Sequence, residues 1–138
     1  MSSVKRQRQD GFRPKLIALS VAACFSLSTT QSLANPTGGT VSSGSASFAS
    51  SGNTLTVTNS ANAIINWQSF SIGVNEITRF LQSSASSAVL NRVVGSGGVI
   101  PQSVIDGVLS SNGRVFLLNQ SGVVIGSTGR IDVAGFVA

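Results

Sequence analysis

From Asn112 to Ala138 the chain reads NGRVFLLNQSGVVIGSTGRIDVAGFVA, a series of short β-prone runs broken by glycine-bearing turns at close, uneven intervals. Val115 to Leu118, Val123 to Ile125 and Ile131 to Val133 are each too short for a helix, and Asn112-Gly113, Ser121-Gly122 and Thr128-Gly129 separate them. A chain punctuated this way coils in tight strand-turn-strand steps. Stacked β structure is the expectation.

The charge is distributed unevenly, and the distribution matters more than the total. A pI near 11.3 points to a nucleic-acid or membrane-surface binder. However, Lys5, Arg6, Arg8, Arg13 and Lys15 face only Asp10 in the first fifteen residues, and four arginines and three acids remain for everything after Ala34. The basic head, the apolar run Leu16 to Leu27 and the small-residue exit Ser32-Leu33-Ala34 have the layout of a secretory signal peptide. The apolar run is too short to span a bilayer, which takes about 20 residues. The expected division is a leader over 1–34, cleaved between Ala34 and Asn35, and a nearly neutral exported domain over 35–138. Val21-Ala22-Ala23-Cys24 is an alternative, lipoprotein-type cleavage box that would tether the chain through Cys24. Cleavage at Ala34 leaves a chain with no cysteine, so disulfides cannot staple it.

Along the exported part, Asn35 to Ser60 is polar and reads as a cap or opening strands, with a strand signal at Thr54 to Thr58. In ANAIINWQSFSIG, Ile65 and Trp67 share a face, and Phe70, Ile72 and Val74 resume a period of two after a register change near Ser69. This predicts two short strands meeting at a corner. Glu76 to Gln82 reads as a strand with apolar residues on both faces, and residues 83–89 as a loop. Gly95, Gly97 and Gly98 read as turn glycines. Gln102 to Leu109 is compatible with one or two helical turns, a β-turn excursion or a short 3₁₀ segment.

Little catalytic chemistry is available. The chain has no histidine and no tyrosine, and after Ala34 no cysteine or lysine. Glu76, Asp106 and Asp132 stand singly, which disfavours a metal site or a paired-carboxylate hydrolase. No base accompanies the many serines. Arg79, Arg92, Arg114 and Arg130 are widely spaced single cations, a poor nucleic-acid footprint. Trp67, preceded by isoleucines and followed by Phe70, is expected in the core. No catalytic, cofactor-binding or metal-binding residue is assigned.

Specific blocks then become informative. IINWQSFSIGVNEITRFLQ at 64–82, LNRVVG at 90–95, IDGVLSSNGRVFLLNQSGVVIG at 105–126 and RIDVAGFVA at 130–138 resemble the two-partner secretion domain, the amino-terminal or haemagglutination activity domain of the filamentous haemagglutinin family. The resemblance implies an all-β fold: a single-stranded right-handed parallel β-helix of pectin-lyase-like type, incomplete, with an amino-terminal cap. It also implies a secretion and targeting module of a Gram-negative exoprotein of adhesin or haemagglutinin type. Export through the Sec machinery would precede recognition by the periplasmic POTRA domains of a dedicated outer-membrane transporter. No cofactor and no nucleic acid enter this scheme, and the ligand on the host cell would belong to the exoprotein body.

Asn66, Trp67, Asn119 and Gly122 are the candidate recognition or turn residues. The family's turn motif is usually Asn-Pro-Asn-Gly, whereas Asn119-Gln120-Ser121-Gly122 keeps only its first and last members, so Gln120 should leave the turn less rigid. Ala138 falls about mid-domain for this family, which implies a fragment or a truncated gene product. Two alternatives come from other classes: a stand-alone surface adhesin or lipoprotein, and a pectate-lyase-like β-helix enzyme.

Overall fold

A computed structural model describes residues 35–138. The expected leader, including Cys24 and Ala34, lies outside the described residues. Alternation of apolar and polar residues over short runs produces strands, and twelve of them form with no helix among the described residues. They are β1 (Thr40–Ser43), β2 (Ala46–Ser51), β3 (Thr54–Asn59), β4 (Ala63–Trp67), β5 (Ile77–Leu81), β6 (Ala88–Val93), β7 (Ser103–Ile105), β8 (Val108–Ser111), β9 (Arg114–Leu118), β10 (Val123–Ile125), β11 (Arg130–Asp132) and β12 (Gly135–Val137).

The strands fall into three faces because each coil contributes one strand to each face. In the first sheet β3, β5, β8 and β11 stack in parallel, aligning Leu55, Thr78, Leu109 and Ile131. In the second sheet β4, β6, β9 and β12 do the same, aligning Ala63, Val89, Val115 and Phe136. The third face pairs β7 with β10, and Ile72 bridges to Ile105 above them. The result is the parallel β-helix expected from the sequence.

A parallel stack leaves its first coil with an open edge, which would invite pairing with other chains. Here the amino-terminal strands close it by running in the opposite sense. β1 pairs antiparallel with β4, and β2 pairs antiparallel with β3. The polar opening segment is therefore a cap, as its composition suggested.

Inside, side chains of successive coils pile into columns. Phe70 and Phe80 stack at 6.4 Å with nearly parallel rings, and Trp67 meets Phe70 edge-on at 5.7 Å. Val57, Ile65, Ile105, Leu109 and Leu117 fill the space around them and are fully buried. Each such side chain contributes about 1.5–3 kcal/mol by leaving water, so this aromatic and aliphatic column is the main stabilising element.

Three expectations need correction. Val74 does not continue the inward period of Phe70 and Ile72; it is 57% exposed, in a turn that Asn75 completes at φ 67°. The backbone amide of Gly73 donates to Glu76 Oε1 at 2.7 Å, and this closes the turn against continuation of a strand. Residues 102–109 contain no helical or 3₁₀ turn but β7, a corner at Asp106-Gly107 and β8. A Cβ on Gly107 would lie 2.3 Å from the carbonyl oxygens of Gly73 and Glu76, so only glycine lets this corner nest on the one above. The loop at 83–89 is shorter than expected, since β6 already begins at Ala88.

Candidate recognition surface

Trp67 ends β4 pointing inward and is 2% exposed. Phe48 of the cap meets it edge-on at 5.5 Å. Gly39 crosses over the indole so closely that an added Cβ would lie 2.8 Å from Cζ3. A buried indole N–H needs an acceptor. Asn91 Oδ1 supplies it at 2.8 Å, and the Asn91 amide donates in turn to the Phe116 carbonyl at 3.2 Å. Asn91 is fully buried between Ile65 above and Leu117 below, and it ties three successive coils together.

Asn66, next to Trp67 and on the opposite side of the pleat, faces outward. Its Oδ1 accepts from Arg92 Nε at 3.0 Å, and Arg92 Nη2 also reaches Ser42 Oγ of the cap at 3.4 Å. Asn66 thus joins the first coil, the second coil and the cap on the outside, as Trp67 does on the inside.

Asn119 and Gly122 frame the turn from β9 to β10. The Gly122 amide donates to the Asn119 carbonyl at 2.9 Å, and the Ser121 amide donates to Asn119 Oδ1 at 2.8 Å. Asn119 Nδ2 reaches back to the Pro101 carbonyl at 2.8 Å and to Ser103 Oγ at 2.9 Å. Gly122 sits at φ 99°, where a side chain would be strained. Ser121 adds a bond from its hydroxyl to the Ile100 carbonyl at 2.6 Å. Side-chain bonds to the neighbouring coil therefore hold this turn in the absence of the family's proline.

The four candidates form two pairs at the same end of the second sheet, Asn66 beside Trp67 and Asn119 bonded to Gly122, and the two pairs are not in contact. Asn66, Arg92 and Leu118 are in register, so Asn119 lies about two rungs, roughly 10 Å, from the first pair. Asn35, at the expected cleavage point, is part of the cap. Its Nδ2 donates to the Asn53 carbonyl at 3.1 Å, and its Oδ1 accepts from the hydroxyl of buried Thr78 at 2.9 Å.

Sequence reading missed Asn91 and a second knot at Gln82. The Asn112 side chain pairs with both the amide and the carbonyl of Gln82, at 2.8 and 2.7 Å. Gln82 Nε2 bonds Ser111 Oγ at 3.0 Å and the Arg114 carbonyl at 2.9 Å. A signal for Asn91 was present: it shares the alternation of Val89 and Val93 and so is a polar residue in an inward position.

The acids do not assemble. Among the described residues no three His, Cys, Asp or Glu side chains form a group able to hold a metal ion. Fold and site together define a capped parallel β-helix whose polar side chains serve turns, coil-to-coil links and the cap.

Comparison with known proteins gives this class its family. The TPS secretion domain family model matches residues 31–138. The heme/hemopexin-binding protein of Haemophilus influenzae strain Rd is 38% identical over 104 residues, covering 75% of this chain and 11% of that protein. A second Haemophilus influenzae heme/hemopexin-binding protein is 40% identical over 76 residues, 55% of this chain and 8% of that one. Among solved structures, the HMW1 secretion domain of Haemophilus influenzae superposes with a TM-score of 0.69 at 41% identity, covering 74% of this chain and 26% of that one. The chain belongs to the TPS secretion domain family, the secretion modules of two-partner exoproteins, and spans about a tenth of the length of the curated relatives it matches.

Proposed function

We propose that residues 35–138 form the part of an exported exoprotein that a dedicated outer-membrane transporter recognises through its periplasmic POTRA domains. Residues 1–34 serve as a Sec-type leader removed between Ala34 and Asn35, and the exoprotein then crosses the outer membrane to the cell surface or medium. The match of residues 31–138 to the secretion-domain family is the observation that carries this reading. Asn35 and the residues after it are built into the fold: Asn35 plugs the cap, Pro36 is buried, and the Thr37 amide donates to the Ser69 carbonyl at 3.0 Å. The physical logic is simple. A chain without cysteine after Ala34 cannot be locked by disulfides before it crosses, and short strands can add coil by coil once it has.

The relatives' names describe binding of heme or hemopexin. Residues 35–138 contain no histidine, tyrosine, cysteine or methionine, the usual axial ligands of haem iron. Haem binding through a side-chain ligand to the iron is therefore assigned to other parts of such exoproteins. Deleting residues 64–82 in a strain that expresses the cognate transporter should abolish export. Unchanged secretion would refute the proposal. Mass spectrometry of the mature amino terminus should find Asn35 first, and a lipidated Cys24 would instead establish a membrane-anchored protein.

A further inference from the structure

The corner between β8 and β9 carries the chain's one Asn-Gly pair, Asn112-Gly113. Each member is fixed by the coil above it. The Asn112 side-chain amide lies against the backbone of Gln82, donating to its carbonyl at 2.7 Å and accepting from its amide at 2.8 Å, as a neighbouring strand would. Gly113 is buried, and a Cβ added there would lie 2.7 Å from Gln82 Cδ and 3.0 Å from the Ser87 carbonyl oxygen. The stacking therefore demands a short carboxamide at 112 and no side chain at 113. This is also the pairing in which asparagine is most open to attack by its own backbone, because glycine leaves the following nitrogen unhindered.

The reaction needs only water. The Gly113 backbone nitrogen gives up its proton and bonds to Asn112 Cγ, the Cγ–Nδ2 bond breaks, and the side-chain nitrogen leaves with that proton as ammonia. Water then adds to one carbonyl of the succinimide ring and opens it, returning aspartate or an isoaspartate whose side-chain carbon has entered the main chain. In the fold both reacting groups are held. The Gly113 amide donates to Ser111 Oγ at 3.0 Å, and the two bonds to Gln82 keep the Asn112 amide turned toward the coil above. Asn112 itself is exposed, so these bonds, and not exclusion of water, protect it. Neither product restores the corner. In aspartate an oxygen replaces the donor that met the Gln82 carbonyl, and two acceptors face each other with no hydrogen between them. Isoaspartate lengthens the backbone just where the Arg114 amide must reach the Ser87 carbonyl at 2.8 Å to start β9.

We infer that Asn112 is a deamidation site, closed in the stacked coils and open in the unstacked chain, and that its conversion to aspartate or isoaspartate ends the chain's ability to fold. The modification is spontaneous and acts as a clock. A molecule that stays unfolded too long loses the link between its second and third coils. For export, chains delayed before crossing fall out of use; this consequence rests on the reading that the coils stack after the crossing, whereas the site itself does not.

The test incubates the purified full chain at mildly alkaline pH, in native buffer and in concentrated guanidinium chloride, and follows the amide-to-acid mass change by peptide mapping. Asn112 should convert in denaturant and convert slower by about tenfold or more in native buffer, where the ring closes only in molecules that have opened the corner. After dilution of the denaturant, size-exclusion chromatography separates refolded from unrefolded molecules. The refolded ones should carry asparagine at 112 and the unrefolded ones the acid. Asn112→Asp should show a lowered urea midpoint or fail to fold. Equal conversion rates in the two buffers, or the acid in equal share in the two fractions, overturns the inference. In cells, protein held in the periplasm by deleting the transporter gene should carry the acid at 112, and secreted protein the amide. Asparagine in both overturns the consequence for export, and a wild type that is not secreted overturns the export reading, while the comparison of buffers decides the site by itself.

Discussion

Replacing Asn91 by leucine isolates the bond that fixes the position of Trp67. The side chains are similar in volume, so packing changes little, but the indole N–H loses its acceptor at 2.8 Å in a site where both partners are buried. Leaving such a donor unpaired costs about 1–3 kcal/mol. Leucine regains roughly 1 kcal/mol through its apolar surface, so a net loss of about 1–2 kcal/mol is expected. In a Trp67→Phe background the orphaned donor no longer exists. There Asn91→Leu should cost about 1–3 kcal/mol less, because the Asn91 Oδ1 it removes has already lost its donor. The bond from Asn91 to the Phe116 carbonyl is lost in both backgrounds and cancels from the difference. Urea unfolding of the four proteins, followed by far-UV circular dichroism because Trp67 is the only tryptophan, gives the coupling energy. A cost for Asn91→Leu that agrees between backgrounds within about 0.5 kcal/mol would refute the argument, since that is the behaviour of independent sites.

Other substitutions test the corners and the cap. Gly107→Ala forces a Cβ to within 2.3 Å of two backbone oxygens and should destabilise by about 1–3 kcal/mol or more, read as a lowered urea midpoint. Gln120→Pro places proline at the second position of the Asn119–Gly122 turn, and should raise the unfolding free energy by about 0.4–1 kcal/mol through the unfolded chain's lost freedom; a decrease would show that the turn's φ at 120 does not suit proline. Asn119→Ala removes the bonds to Pro101 and Ser103 and should cost about 1–2 kcal/mol while leaving the far-UV spectrum β-rich. Gly39→Val should loosen the cap over Trp67, seen as a red shift of the tryptophan emission.

The charge pattern of residues 1–34 and the spacing of glycines against short apolar runs were legible along the chain. These are local properties. A strand's period of two puts Ile65 and Trp67 on one face whatever the strands pair with, and glycine at a turn marks where a strand must stop. Asn119 and Gly122 were likewise recognisable as a turn, because the hydrogen bonds that close it lie within four residues. The resemblance of the 64–82 and 105–126 blocks then supplied the architecture that local patterns alone left open.

What remained hidden depends on which residues the coiling places one above another. The β7-corner-β8 segment looked compatible with a helical turn because Val104, Ile105, Val108 and Leu109 satisfy a helical spacing. Only the parallel neighbours Val124 and Ile125, together with Ile77 and Thr78, decide that they form strands. Asn91 became a structural residue only when β4 and β9 set Trp67 and Phe116 beside it, and Gln82 only when Asn112 arrived from the next coil. The uneven strand-glycine rhythm between Asn112 and Ala138 dictated that this chain would coil. The stacking of coils, through partners remote in sequence, decided which side chains meet.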